Sequence, residues 1–456
     1  MKPLHRQPGR VPEHPMFTST ELKRLLIPLL LEQTLSVTIG MMDTVMVASC
    51  GEASVSGVSL VDSINVLLIM VFSALATGGA VVTSQYLGKK DLQQATAAAK
   101  QLFYVVLIAS LAIMGLCLLL RYPLLSLLFG TIEVDVMRAA QVYFLLTALS
   151  YPFLAMYNAA AALLRSQGNA RASLNTSIIM NLLNVSGNAL FIFGFRMGVL
   201  GAGLATLLSR VVGSMVIQRA LHRPGCQLPP PNLFRLEWKP ELIGKILAVG
   251  VPNGLENGFF QLGKLLLLRM ISTFGTVSIA ANAVGNTMGT IHCLPGNAIG
   301  LAMITVVGQC VGARKYDQAR YYTRRLMQLS YLCMGALNIL ILLGNGIVTK
   351  PFHLSPETDA LARQIVFIHG AGAATLWPLS FVLPNSLRAA GDARFTMLVS
   401  SFSMVMFRIL FGYLLAIPCG MGVIGVWVAM QIDWVFRITC FVLRFRGHRW
   451  ETKALV

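Results

Sequence analysis

Charge is scarce in this chain: 12% of its 456 residues are Asp, Glu, Lys or Arg, against about a quarter in a soluble domain. Paired cysteine motifs are missing too. The 8 cysteines include no CxxC and no pairing with nearby histidine, so neither a disulfide framework nor a structural metal site is indicated. No Ser/His/Asp set, Walker loop or appended ATPase segment is present, which sets enzymatic chemistry and ATP-driven work aside. Nor does the polar stretch from Met1 to Glu21 read as a cleavable leader, so the first apolar run is expected to be retained. Apolar sequence is what the chain has in excess, 55% hydrophobic residues with a mean hydropathy of +0.69. A few soluble cores cannot hide that much from water, and the chain reads as an integral membrane protein.

A helix needs about 20 apolar residues to cross the hydrocarbon core. Apolar runs between charge clusters mark twelve such spans, at roughly 24–48, 58–86, 101–120, 139–163, 174–194, 199–219, 242–273, 278–310, 326–348, 364–386, 395–417 and 422–443. Positive charge sorts between alternate loops. With the amino terminus inside, the inner segments carry 26 Lys and Arg and the outer ones 5, which predicts that both termini are cytoplasmic. The net charge of +18 thereby reads as topology and contact with anionic lipid, and nucleic acid is not needed as a partner.

An offset of 224 residues lays one half of the chain on the other. Pro28 and Glu32 fall on Pro252 and Glu256, Gln85 and Gly88 on Gln309 and Gly312, Gly198 and Gly201 on Gly422 and Gly425. With one residue of slippage, Leu164-Arg165-x-x-Gly168-Asn169-Ala170-Arg171 matches Leu387-Arg388-x-x-Gly391-Asp392-Ala393-Arg394. Each half has six spans, an even number, so the halves run in the same sense. The expected architecture is all-α and polytopic, two parallel six-helix repeats around a central cleft. An N-lobe covers residues 1–223 and a C-lobe 241–456, joined by a proline-rich cytoplasmic linker at 224–240.

Ionisable groups inside spans are functional candidates, because a charge near the midplane is costly unless it meets a partner or water. Glu32 and Glu256 each follow a proline by four residues and occupy equivalent depths. A carboxyl group in low dielectric leans toward its neutral form, which lets it trade a proton for a cation. Hydrogen bonding across a proline kink is the alternative role. Asp43 lies eleven residues beyond Glu32, about 20° from the same helical face. Its repeat mate is Leu267, while Lys264 falls on Gly40, so Asp43 reads either as an ion-coupling acid or as the partner of Lys264. Asn181, Asn184 and Asn188 share one face, able to ligate a cation or to tie helices together. Gln33 and Ser36 in the first span and Gln261 in the seventh add polar lining. No metal site is expected beyond Na+ at Asp43, Glu32 or Glu256. Asp433 and Arg437 read as a self-satisfied pair, Asp62 as an acid near the outer end of its span, and His292 and His369 as isolated.

Pro28-x3-Glu32-Gln33 followed by Gly40, Asp43, Thr44 and Val47 resembles the first helix of MATE (multidrug and toxic compound extrusion) transporters. The two Leu-Arg-x-x-Gly loops resemble that family as well, as do Leu294-Pro295-Gly296 and Gly308-Gln309-x-Val311-Gly312, with the bacterial DinF-like branch nearest. The resemblance implies a monomer in the bacterial inner membrane among its lipids. It implies export of cationic or amphipathic small molecules against inward Na+ or H+, by rocking of two lobes and with no other cofactor. Asp43 matches the family's first-helix acid implicated in cation coupling, and Asn188 stands where some relatives carry an aspartate. With no ATPase in the chain, the ion gradient is the expected energy source. A lipid-linked precursor flippase is the alternative; it would favour a basic cleft, for which Lys264, Arg210 and Arg408 are the candidates.

Overall fold

Proline and glycine placement decides where the long apolar runs of this chain bend. The computed structural model describes residues 12, 14–130, 133–223, 226–229, 235 and 237–456, and every regular element among them is a helix. The expected linker residues Pro224, Gly225, Pro230 and Pro231 and the charges Lys2, Arg6 and Arg10 lie outside the described residues.

The first repeat forms α1 (Ser19–Ala48), α2 (Glu52–Gly88), α3 (Leu92–Leu119), a short α4 (Arg121–Phe129), α5 (Val134–Leu149), α6 (Tyr151–Ser166), α7 (Ala170–Asn188) and α8 (Gly198–Leu221). The second forms α9 (Pro240–Ser272), α10 (Thr276–His292), α11 (Leu294–Gly312), α12 (Tyr316–Leu343), α13 (Asn345–Val348), α14 (Pro356–Thr375), α15 (Leu383–Ala389), α16 (Ala393–Ser403), α17 (Phe411–Ala416) and α18 (Gly422–Arg446). Among the described residues nine helical segments are long and apolar enough to cross a membrane, eleven if two bent pairs each count as one span. The 33-residue α9 supplies the remaining expected span; Asn253, Glu256, Asn257, Gln261 and Lys264 make it less apolar.

The breaks follow the repeat. α2 runs unbroken for 37 residues, whereas its mate is cut at Cys293 into α10 and α11. Pro295 stands there in place of Val71, and proline cannot donate to the helical ladder. α5 and α6 meet at 46° just ahead of Pro152, and α14 meets the segment starting at Pro378 at 62°. The duplicated Leu-Arg-x-x-Gly loops build one turn twice. Gly168 and Gly391 take φ of +81° and +94°, where a side chain is strained, while Asn169 and Asp392 donate backbone N–H to the carbonyls of Leu164 and Leu387 at 2.9 Å.

The chain divides into two compact units, each drawing on both repeats. One holds Ile27–Thr83 and Leu92–Gly258. Its core is built on α6, whose buried Ala159 to Ala162 let α3 and α8 approach closely, with α7 laid along α8. The carboxyl-terminal end of the linker docks on α3, where Gln101 Nε2 donates to Glu237 O at 2.7 Å and Tyr104 Oη to Arg235 O at 2.9 Å. The other unit holds Met1–Leu26, Ser84–Asp91 and Phe259–Val456. In it α10 packs on α14, α11 on α12 and α17 on α18. The duplicated Gln-x-x-Gly motifs cross there: a Cβ on Gly312 would fall 1.8 Å from Gln85 O, and one on Gly88 1.9 Å from Gln309 O.

Candidate functional site

The unit of α1 to α8 encloses a cavity of about 350 Å³ whose acidic centre is Asp43. Spacings of three and four on α7 put Asn181, Asn184 and Asn188 on one face, and that face meets α1. Asn188 Nδ2 donates to Asp43 Oδ1 at 2.9 Å. The amide orientation of Asn184 that suits its neighbours turns its nitrogen to both carboxylate oxygens, at 2.7 and 3.0 Å. A π-helical turn, Ala189–Gly194, follows directly after Asn188. Such turns inside α-helices occur often at functional sites.

Asp62 on α2 lines the same cavity, with Tyr143 of α5 and Thr206 and Arg210 of α8. Asn65 Nδ2 donates to Asp62 Oδ1 at 3.1 Å, while Asn65 Oδ1 accepts from Tyr151 Oη at 2.8 Å. Arg210 is steered by Ser150, whose Oγ accepts from its Nη1 at 2.7 Å, and it shares the cavity lining with both acids. Two carboxylates thus face one guanidinium. Asn188 is only 2% exposed, and its Oδ1 is buried without a hydrogen-bond partner among the described residues. An orphaned acceptor of that kind costs about 1–3 kcal/mol. A small cation among these oxygens would satisfy it, and so would a proton on the acid with the amide turned toward it.

The structure therefore joins Ser36, Asp43, Asn181 and Asn184 in the cavity lining, with Asn188 bonded to the acid. Glu32 and Gln33 stand outside that lining. Glu32 is 8% exposed and is held by Ser173, whose Oγ lies 3.0 and 3.1 Å from its two oxygens, and by Arg165 Nη1 at 3.7 Å. Glu256 is half-buried on α9 in the same unit, also outside the lining. Gln261 and Lys264 belong to the other unit, where Lys264 Nζ lies 5.2 Å from the centre of the Phe260 ring. Asp62, Arg210 and Tyr143 converge on Asp43 from three helices. The signal for the first two was their charge within a span; nothing in one sequence marks Tyr143.

In the unit of α10 to α18, the expected Asp433–Arg437 pair forms at 2.9 Å, and Ser403 Oγ also donates to Asp433. His292 and His369 are not isolated. Their Nδ1 atoms meet at 2.8 Å and the rings stack 5.0 Å apart, in space left by Gly289 and Gly370.

Comparison with known proteins places these features in context. The family model MatE matches residues 28–190 and again 252–414, reproducing the offset of the internal repeat. An uncharacterized transporter of Bacillus subtilis, YisQ, is 27% identical, with 96% of this chain and 99% of the relative aligned. A probable multidrug resistance protein, NorM, of Thermotoga maritima is 24% identical over 96% of this chain and 94% of its own length. Among solved structures, an outward-facing multidrug resistance MATE family transporter of the MOP superfamily superposes with a TM-score of 0.87 at 20% identity. That match covers 93% of this chain and 95% of the other.

Proposed function

Because the chain belongs to the MatE family, a family of membrane transporters and not of enzymes, we propose that it is a secondary antiporter exporting cationic or amphipathic organic compounds in exchange for inward Na+ or H+. Asp43 is the seat of the exchange in this reading. One observation carries it: an acid held by two asparagine amides, beside a buried amide oxygen with no donor. Asp62 supplies a second acid and Arg210 limits the net charge, so that one added cation leaves the cavity neutral. Exchange then follows if the coupling ion and a cationic passenger compete for these oxygens, binding inward- and outward-open states with different free energies.

The excess of positive charge on one set of loops supports cytoplasmic termini in a bacterial inner membrane. The relatives' names, multidrug resistance proteins, support export of organic compounds over flipping of a lipid-linked precursor. The test is efflux of tetraphenylphosphonium from proteoliposomes with Na+ and proton gradients imposed separately. Efflux driven by one of them is expected; efflux indifferent to both would remove the antiporter reading.

A further inference from the structure

The second repeat answers the first with opposite charge. At the 224-residue offset, Gly40 becomes Lys264, Asn184 becomes Arg408 and Gly213 becomes Arg437, while Asp43 becomes Leu267. All three cations lie in the unit that contains Phe259–Val456, where Asp433 is the acid beside the two arginines.

That acid is shared by two of the cations, and its Oδ2 has no hydrogen-bond partner among the described residues. Asp433 Oδ1 receives Arg437 Nε at 2.9 Å and the Ser403 hydroxyl. Arg408 Nη1 is 3.7 Å from Oδ2, too far for a hydrogen bond. Arg408 is 8% exposed, and its Nε and Nη1 are buried without hydrogen-bond partners among the described residues. Lys264 has no carboxylate within ion-pair distance among those residues. The two flank one ring, with Arg408 Cζ 5.0 Å and Lys264 Nζ 5.2 Å from the centre of Phe260. Arg408 is presented by the π-helical turn Met404–Leu410, which displaces its side chain from the ordinary helical register.

A desolvated guanidinium with unused N–H groups is unfavourable unless an anion meets it. Its fork matches a carboxylate or phosphate, and the ammonium adds a second point of charge. We propose that Arg408 and Lys264 form an anion subsite that takes the carboxylate or phosphate of an amphipathic molecule, with Phe260 contacting its apolar body. This rests on the export reading and extends the passengers from cations to compounds carrying an acidic group.

The test measures binding of 1-pyrenebutyrate and of the neutral 1-pyrenebutanol to the purified full chain by fluorescence. The acid is expected to bind tighter by about tenfold or more, the worth of one charge-assisted hydrogen bond. Arg408→Gln and Lys264→Gln should each reduce that preference, and Lys264, at an exposed position, decides the matter if the arginine variant fails to fold. Equal affinity for the two probes, or an unchanged preference in the lysine variant, overturns the proposal. Proteoliposome arms separate the sources of the anion. Translocation of fluorescent phosphatidylglycerol but not of zwitterionic phosphatidylcholine assigns the site to anionic lipid; efflux of pyrenebutyrate alone assigns it to soluble acids. Tetraphenylphosphonium efflux by the wild-type chain is followed in parallel, since its absence defeats the export reading without touching the binding result.

Discussion

Replacing Asp43 by asparagine removes one negative charge from the cavity with almost no change in volume. A unit charge pair about 4 Å apart at an effective dielectric of about 20 is worth about 4 kcal/mol, close to a thousandfold in affinity. Asp62 remains as a second acid, but Arg210 also faces it, so the cavity is left without net negative charge. The new amide meets the nitrogens of Asn184 and Asn188, which can turn to present oxygen, so folding should survive. Ion-driven efflux of tetraphenylphosphonium from proteoliposomes should therefore fall to the level of empty vesicles, at equal reconstituted protein and unchanged thermal midpoint within a few degrees. Retention of half the wild-type rate under the same gradient would refute the assignment.

Asn188→Ala takes away one donor to Asp43 and the orphaned oxygen together; the coupling-ion concentration for half-maximal efflux should rise by about tenfold. Glu32→Gln leaves Arg165 facing a neutral amide, with both side chains largely buried. Unfolding followed with a thiol-reactive dye should show a loss of about 2–3 kcal/mol, and a smaller loss for Ser173→Ala. Gly168→Ala and Gly391→Ala share a positive φ, which costs about 1–2 kcal/mol. Only the second also drives a Cβ to 2.3 Å from Lys453 O, so its midpoint should fall further. Equal effects would mean that the carboxyl-terminal segment yields freely.

Most of the fold was readable because membrane helices must satisfy their own backbone and be apolar over a fixed length. The offset of 224 residues was readable from Pro, Glu, Gln and Gly, which are not interchangeable with background Leu and Ala. The site was only half readable. Asn181, Asn184 and Asn188 declared a shared face by spacing alone, and Asp43 a polar position inside a span. Glu32 showed the same signal as Asp43, yet it meets Arg165 and Ser173. Mid-span acids look alike whether their partner is an open cavity or a cation far along the chain, because tertiary packing makes that choice. The same limit hid the meeting of His292 with His369 and the π-helical turns Ala189–Gly194, Pro378–Val382 and Met404–Leu410, which depend on an inserted residue that periodicity averages away.

The central claim is that a proton or sodium ion and a cationic passenger are alternatives at Asp43. Equilibrium binding of radiolabelled tetraphenylphosphonium to the purified chain, titrated with Na+ and with acid, measures it directly. Displacement by at least one of the two ions in the wild type, and none in Asp43→Asn, is the expected pattern. Binding that ignores both ions, or that is displaced equally in the variant, contradicts it.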